Sequence, residues 1–151
     1  MQVIPGASAV LMAVVASGLP CSSFTFKGFP PRKSGARRRF LEQDAASPHT
    51  LVFYESPFRV GKLLEETLAV LGDRRAAVCL ELTKHFERVH RGPLSALVAE
   101  FSGKKVKGEA VVVIEGNRDD RFAVDAESGL NGSLEDAEGD NDVQEEGDGA
   151  V

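Results

Sequence analysis

Hydrophobic residues along the first 116 positions fall into short runs separated by glycine, proline and charged residues. Apolar, β-branched and aromatic runs too short for helices predict five strands, at residues 24–29, 50–54, 76–80, 88–92 and 111–114. Helical spacing predicts four helices, at residues 7–17, 32–46, 57–71 and 93–101. Their alternation predicts an α/β fold in which a mixed, mostly parallel sheet is flanked by helices on both faces.

The strand at residues 50–54 and the helix that follows it form the central corner of the chain. Ser56 is suited to cap this helix, and Pro57 is suited to its first position because the N–H that proline lacks would stay unpaired there. Tyr54 and Glu55 stand at the carboxyl end of the strand. Small ligands bind at that edge of open α/β sheets, so the functional site is expected there.

Two of the predicted helices differ in their hydrophobic pattern. The helix at residues 57–71 is expected to bury Phe58, Leu64, Leu68 and Leu71 and to expose Lys62, Glu65 and Glu66. The helix at residues 7–17 has almost no polar face. We therefore expect that helix to be buried, and against more than solvent.

Charge divides the chain into two parts. The 151 residues, 42% of them hydrophobic, are enough for one core. Residues 1–116 carry a net charge of +5, whereas residues 117–151 carry −10. The second part is too polar to offset its ordering entropy, and it is predicted to be a disordered acidic tail. A solvating extension is favoured over a mimic of nucleic acid.

A cluster of basic residues opens the second predicted helix. It consists of Arg32, Lys33, Arg37, Arg38 and Arg39. Such a cluster is either a solvated helix face or a patch of positive potential that contacts RNA phosphates without reading bases. Both interpretations remain open from the residues alone.

The cysteines and histidines lack the spacing of a metal or redox site. Cys21 and Cys79 lie among apolar neighbours, which predicts reduced core thiols in a cytoplasmic protein. His49, His85 and His90 show no metal-ligand spacing, so no metal is expected. The apolar run at residues 9–16 lacks a basic leader and is too short to cross a bilayer, so no membrane association is expected.

Three loops stand at predicted strand ends: Tyr54-Glu55-Ser56, Leu82-Thr83-Lys84 and Gly108-Glu109-Ala110. If their strands are neighbours, the loops converge on one site, where Tyr54 stacks on a flat ring and Gly108 permits close approach. The alternative is a core tyrosine, a turn threonine and ordinary surface carboxylates. Lys84, Glu55 and Glu109 are within reach for proton transfer, but no residue is assigned as catalytic.

Several motifs in a fixed order resemble one family of enzymes. They are Pro5-Gly6-Ala7-Ser8-Ala9, Ala16-Ser17-Gly18-Leu19-Pro20, Gly28-Phe29-Pro30-Pro31 with Lys33-Ser34, Thr50-Leu51-Val52-Phe53-Tyr54-Glu55-Ser56-Pro57 with Arg59, Glu81-Leu82-Thr83-Lys84 with Glu87, and Gly108-Glu109 before Val112-Val113-Ile114-Glu115-Gly116. Residues 3–116 closely resemble the carboxyl-terminal half of the bacterial small-subunit ribosomal RNA cytidine 2′-O-methyltransferases, which belong to the tetrapyrrole-methylase-like class of S-adenosylmethionine enzymes.

The resemblance implies a two-domain, homodimeric enzyme that holds S-adenosylmethionine between its halves and methylates a ribose hydroxyl of small-subunit ribosomal RNA. It implies that residues 1–116 are the carboxyl-terminal domain, that the amino-terminal domain is missing, and that the chain alone is inactive. By position, the implied cofactor-binding residues are Tyr54, Glu55, Leu82, Thr83, Gly108, Glu109 and Ala110. The basic cluster would contact the RNA.

Two departures from the family pattern keep alternatives open. Phe58 stands where relatives commonly have His, and Leu80 where they commonly have Arg. One alternative is a non-catalytic RNA-binding or assembly module with the same fold. Another is a fragment of a tetrapyrrole methylase of the precorrin type, which the Tyr-Glu-Ser-Pro and Glu-Leu-Thr-Lys motifs disfavour.

Overall fold

The computed structural model describes residues 1–104 and 106–118. The elements are α1 (Ala9–Ser17), β1 (Phe24–Gly28), α2 (Ser34–Glu42), β2 (Thr50–Glu55), α3 (Val60–Leu71), β3 (Arg75–Leu80), β4 (Arg88–Pro93), α4 (Leu94–Phe101) and β5 (Ala110–Ile114), with a 3₁₀ turn at Pro57–Arg59. Every predicted helix and strand is present in the predicted order. The predicted acidic tail, apart from Asn117 and Arg118, lies outside the described residues.

The five strands form one sheet in the order β1-β2-β5-β3-β4. Only β1 and β2 are parallel neighbours; the pairs β2–β5, β5–β3 and β3–β4 are antiparallel. The mixed sheet flanked by helices is therefore confirmed, but the prediction that it is mostly parallel is wrong. The reason is that β5 inserts between β2 and β3 and runs opposite to both.

Hydrophobic cores lie on both faces of the sheet because successive strand residues point to opposite sides. On one face Phe53 and Val112 pack against residues of α2, α3 and α4. On the other face Val52 and Val113 pack against α1. The sheet is thus the middle of three layers, as expected.

Helix α1 is buried only on the side that faces the sheet. Ala13 and Val14 are buried there, whereas Leu11 is 55% exposed and Val15 is 78% exposed. The expectation that α1 is buried is therefore met on one side only. Among residues 1–104 and 106–118, no further element packs on its outer side.

The segment after β2 differs from the predicted helix start. The Ser56 hydroxyl makes no capping bond, and the Ser56 N–H donates instead to Glu55 Oε1 at 2.7 Å. Phe58, predicted to be buried, is 70% exposed because the 3₁₀ turn rotates it away from the face that α3 buries. Glu66, predicted to be exposed, is buried.

The two cysteines have different environments. Cys79 is buried in β3, as predicted, but Cys21 is exposed, so its prediction as a core thiol is wrong. Burial raises the pKa of the Cys79 thiol to about 11. Cys79 therefore holds almost no thiolate near neutral pH, and the thiolate is the reactive form.

We expect iodoacetamide at pH 8 to alkylate Cys21 and to leave Cys79 unmodified in the folded chain. The physical reason is the burial of Cys79 together with its raised pKa. Peptide mass spectrometry after a short labelling time measures both sites, and the same reaction in urea should label both. Equal labelling of Cys79 and Cys21 without denaturant would contradict the described core.

Candidate functional site

The ends of β2, β3 and β5 meet at one edge of the sheet. Ala110 is the register partner of Glu55 in β2 and of Leu80 in β3. The insertion of β5 therefore brings the start of that strand between the carboxyl ends of its two neighbours. The three predicted loops consequently lie side by side.

A cavity of about 570 Å³ opens at this edge, on the side of α1. Its lining includes Tyr54, Glu55, Gly108, Glu109, Ala110 and Phe29. Five of the seven residues predicted to bind a cofactor thus surround one space. Leu82 and Thr83 lie at the same edge but not in the lining: Leu82 packs against the core beneath α1, and Thr83 is exposed.

Aromatic rings form one wall of the cavity. The ring centroid of Tyr54 lies 4.8 Å from that of Phe26 and 5.6 Å from that of Phe29. Phe29 was not among the predicted site residues. Its position follows from the parallel pairing of β1 with β2, which places the residues after both strands at the same edge.

Glu55 contributes to the cavity differently from Tyr54. Its side chain leaves the sheet on the opposite face, because adjacent strand residues alternate. There Glu55 Oε1 accepts hydrogen bonds from Arg59 Nε at 2.8 Å and from the Ser56 N–H. The part of Glu55 that a ligand beside Tyr54 would meet is therefore the backbone, and its carboxylate is committed to Arg59.

Three charged side chains join the second and third loops. Lys84 Nζ lies 3.1 Å from Glu81 Oε1 and 3.2 Å from Glu109 Oε2. Glu81 Oε1 also accepts a bond from the Glu109 N–H at 2.6 Å. Hydrogen bonds that Lys84 donates, first to Glu81 and then to Glu109, raise the pKa of Lys84, so it stays protonated at neutral pH and is unsuited to act as a base. The pKa of Glu81 is lowered, first by the Glu109 N–H and then by Lys84.

The backbone of these loops adopts left-handed conformations. Glu81 has φ 51° and Thr83 has φ 66°, values that non-glycine residues rarely adopt. Gly108 has φ 99°, and a Cβ atom there would lie 2.1 Å from Glu81 Oε1. Glycine at position 108 is therefore needed both for its backbone angle and for the approach of Glu81.

Arg37 does not have the environment predicted for an RNA contact. It is 3% exposed, and its guanidinium donates to Glu66 from Nε at 2.5 Å and from Nη2 at 2.8 Å. Its Nη1 also donates to the carbonyls of Pro31 and Arg32 at 3.3 Å. The prediction that Arg37 binds RNA is corrected, because its donors are occupied inside the protein.

The other four members of the basic cluster are exposed: Arg32, Lys33, Arg38 and Arg39. Within residues 1–104 and 106–118, none of the four forms an ion pair with a carboxylate. Arg37 holds the loop that carries Arg32 and Lys33, and Phe29 stands a few residues before them. The loop that follows β1 therefore carries Phe29, which lines the cavity, as well as Arg32 and Lys33.

The described part of the chain contains neither a grouped set of metal ligands nor a helix that could span a membrane. Among those residues, no three histidine, cysteine, aspartate or glutamate side chains are grouped so as to hold a metal ion. In the same residues, every helix is too short or too polar to cross a membrane.

Comparison with known sequences gives a consistent set of relatives. The chain is 45% identical over 114 residues to the ribosomal RNA small subunit methyltransferase I of Halalkalibacterium halodurans, a match that covers 76% of this chain and 39% of that protein. The identity to the protein of the same name from Mycobacterium tuberculosis H37Rv is 47%, covering 75% and 40%. The chain spans about two fifths of the length of these curated relatives.

Comparison of structures gives the same fold at low sequence identity. The methyltransferase CobJ superposes with a TM-score of 0.57 at 18% identity, covering 76% of this chain and 50% of CobJ. A cobalt precorrin-4 methyltransferase superposes with a TM-score of 0.54 at 16% identity, covering 76% and 51%. The sequence model of the tetrapyrrole (corrin/porphyrin) methylases matches residues 1–98. With that match over more than half of its length, this chain belongs to the tetrapyrrole methylase family.

Proposed function

We propose that residues 1–116 are the carboxyl-terminal domain of an S-adenosylmethionine-dependent methyltransferase that modifies a cytidine ribose 2′-hydroxyl in small-subunit ribosomal RNA. The observation that carries the proposal is the meeting of three loops at one sheet edge, two of them lining one cavity, in a chain 45% identical to the curated relative from Halalkalibacterium halodurans. A homodimer and a cytoplasmic location belong to the same proposal, as does inactivity without an amino-terminal domain.

The cavity suits a nucleoside-sized ligand in volume and chemistry. About 570 Å³ lies within the range of small-molecule sites, which is about 300–1,000 Å³. Tyr54 and Phe29 offer aromatic surface for a flat ring, and the backbone around Glu109 and Ala110 offers polar groups. When bound, S-adenosylmethionine supplies an electrophilic methyl group on its sulfonium.

The residues of this chain hold and orient rather than remove a proton. Tyr54, Glu55, Gly108, Glu109 and Ala110 would bind the methyl donor. Leu82 and Thr83 would act from behind the lining, because the Glu81–Lys84–Glu109 contacts tie their loop to the third loop. Lys84, held protonated between Glu81 and Glu109, would position these loops and not act on the ligand directly. The group that accepts the ribose proton is not assigned to this chain.

Mixing this chain with a separate amino-terminal domain tests whether both are needed for cofactor binding and methyl transfer. We expect the 151-residue chain alone to show no methyl transfer, and its mixture with the amino-terminal domain of the Halalkalibacterium halodurans relative to bind S-adenosylmethionine. Calorimetry measures cofactor binding, and radiolabelled donor with unmodified small-subunit RNA measures transfer. Absence of cofactor binding in a mixture whose components are both folded would contradict the proposal.

A pair of glycine substitutions tests whether cofactor binding depends on the loop at Gly108. Gly108→Ala should weaken cofactor binding in the mixture, because alanine is strained at φ 99° and its Cβ displaces the Glu81 side chain from the loop contacts. Gly103→Ala is the matched control: Gly103 also has a positive φ, 68°, but a Cβ there meets nothing within 4 Å. Equal effects of the two substitutions would show that backbone strain, and not the site, is responsible.

The exposed cations favour a second candidate function, an RNA-binding or assembly module without methyl transfer. Arg32, Lys33, Arg38 and Arg39 form no ion pair within the described residues and suit phosphate contact. This function predicts RNA affinity that falls with salt, while titration with S-adenosylmethionine gives no signal in the mixture. The same reconstitution therefore separates the two candidates.

A further inference from the structure

A second cavity, of about 510 Å³, opens on the other face of the sheet. Leu80, Phe101 and Val106 form its apolar part, and all three belong to the core beneath α2, α3 and α4 or pack against it. Tyr54 and Val111, which line the first cavity, pack on the α1 face instead. The two cavities are therefore separate spaces on opposite sides of one sheet edge.

The second cavity is rich in positive charge. Arg88, Lys104 and Lys107 line it, and all three are exposed. Within residues 1–104 and 106–118, none of the three is paired with a carboxylate. The lining also holds two carboxylates: Glu81 is bonded to Lys84, and Glu100 lies 2.7 Å from His90 Nδ1. Three exposed cations against two carboxylates leave an excess of positive charge in the lining.

An exposed aromatic ring stands in the same lining. Phe86 is 69% exposed, and the ring of His85 lies against its edge with a centroid distance of 4.8 Å. Deeper in the cavity, the ring of His90 packs on buried Phe101 at 5.1 Å. An exposed phenylalanine beside unpaired cations suits a ligand that combines a flat ring with a phosphate. The flat ring can stack on Phe86, and the cations can neutralise the phosphate.

The two cavities share a wall. Glu81 lines the second cavity, Glu109 lines the first, and the Glu109 N–H donates directly to the Glu81 carboxylate. A ligand in one space is therefore separated from a ligand in the other by the Glu81–Lys84–Glu109 contacts. A polymer with repeating ring and phosphate units that binds in the second cavity would therefore pass close to a ligand held in the first.

From this arrangement we propose that the second cavity binds a nucleoside phosphate unit of a single RNA strand, across the shared wall from the methyl donor in the first cavity. The base stacks on Phe86, and the phosphate is held by Arg88, Lys104 and Lys107. The identification of the strand as RNA rests on the proposed function. The stacking and phosphate contacts rest on the cavity itself.

The test measures binding of a fluorescent, single-stranded RNA oligonucleotide to the full chain by anisotropy over a range of salt. Phe86→Ala should weaken binding at least about fivefold, the lower end for loss of one base stack. Phe58→Ala is the matched control, because Phe58 is 70% exposed but lies outside the cavity. Circular dichroism verifies that both variants are folded.

Removal of a cation tests the phosphate contact separately. Arg88→Ala should reduce the slope of log affinity against log salt by about 0.7, the value expected for one phosphate contact on a single strand. Lys62→Ala, an exposed cation on α3 away from the cavity, should leave affinity and slope unchanged.

The outcomes separate this inference from the proposed function. Equal effects of Phe86→Ala and Phe58→Ala, or no RNA binding by the wild-type chain, would overturn the second site, while cofactor binding in the reconstituted mixture would still stand. A change of sedimentation in Phe86→Ala without loss of RNA affinity would identify a protein contact and overturn the site as well. If cytidine monophosphate binds as tightly as the oligonucleotide, the stacking and phosphate contacts are supported. The ligand is then a free nucleotide, and the proposal of an RNA strand is overturned.

Discussion

Glu66→Ala is expected to lower the free energy of unfolding by about 3–5 kcal/mol. Glu66 is the partner of the buried Arg37 guanidinium and also accepts a bond from Ser34 Oγ at 2.7 Å. Its removal would leave an unpaired charge in the interior. Urea unfolding followed by circular dichroism measures the change.

The control for this substitution is Glu65→Ala. Glu65 is the preceding residue of α3 and is exposed, so its loss should change the unfolding free energy by no more than about 0.5 kcal/mol. The double variant Arg37→Met/Glu66→Leu should recover most of the stability, because an apolar pair leaves no buried charge. If Glu66→Ala costs no more than Glu65→Ala, the described ion pair is not formed in solution.

The pair also predicts a pH dependence. The hydrogen bond from Arg37 lowers the pKa of Glu66 below its ordinary value of 4.5, although burial opposes the shift. A carboxylate with a lowered pKa in the folded state contributes stability above its unfolded pKa and loses it as pH falls through the folded value. The difference in stability between the wild type and Glu66→Gln should therefore shrink as pH falls below 4.5.

Gly116→Ala is expected to lower the free energy of unfolding by about 1–3 kcal/mol, the usual cost of overpacking. Gly116 follows β5 and is buried against the loop before β2. A Cβ at this position would lie 2.2 Å from the carbonyl oxygen of Pro48 and 2.7 Å from the His49 nitrogen. Both are backbone atoms, so rotation of a side chain cannot relieve the overlap.

Gly35→Ala, the same glycine-to-alanine change, is expected to raise the free energy of unfolding. Gly35 lies within α2, and a Cβ there meets nothing within 4 Å. Gly35 is the second residue of α2, so alanine should stabilise the chain by roughly 0.4–1 kcal/mol, chiefly by reducing the conformational entropy of the unfolded state. Thermal or urea unfolding of both variants in one buffer measures the pair. Loss of stability in Gly35→Ala together with none in Gly116→Ala would contradict the described packing.

The elements themselves could be predicted because their residues carry the information locally. The run at residues 50–54 is apolar and bounded by Pro48 and Ser56, and β2 lies there. The direction of the sheet could not be predicted, because it depends on where β5 pairs. No local pattern in residues 110–114 specifies insertion between β2 and β3.

Side-chain predictions failed where a distant partner decides the environment. From the sequence, Arg37 was expected to be as exposed as Arg38 and Arg39, and Glu66 as exposed as Glu65. The two residues are 29 positions apart, and each is buried only because the other neutralises it. The three loops of the candidate site, by contrast, were expected to converge only if their strands are neighbours, and the pairing of β5 with β2 and β3 meets that condition.

The placement of β5 has a consequence for how the polypeptide acquires its fold. This strand is the last of the five to be translated, yet it occupies the middle of the sheet. Until it emerges, β2 and β3 each present an unsatisfied backbone edge of the kind that templates aggregation. Because domains fold as units during translation, the sheet cannot form completely until β5 has been synthesised and pairs with both β2 and β3.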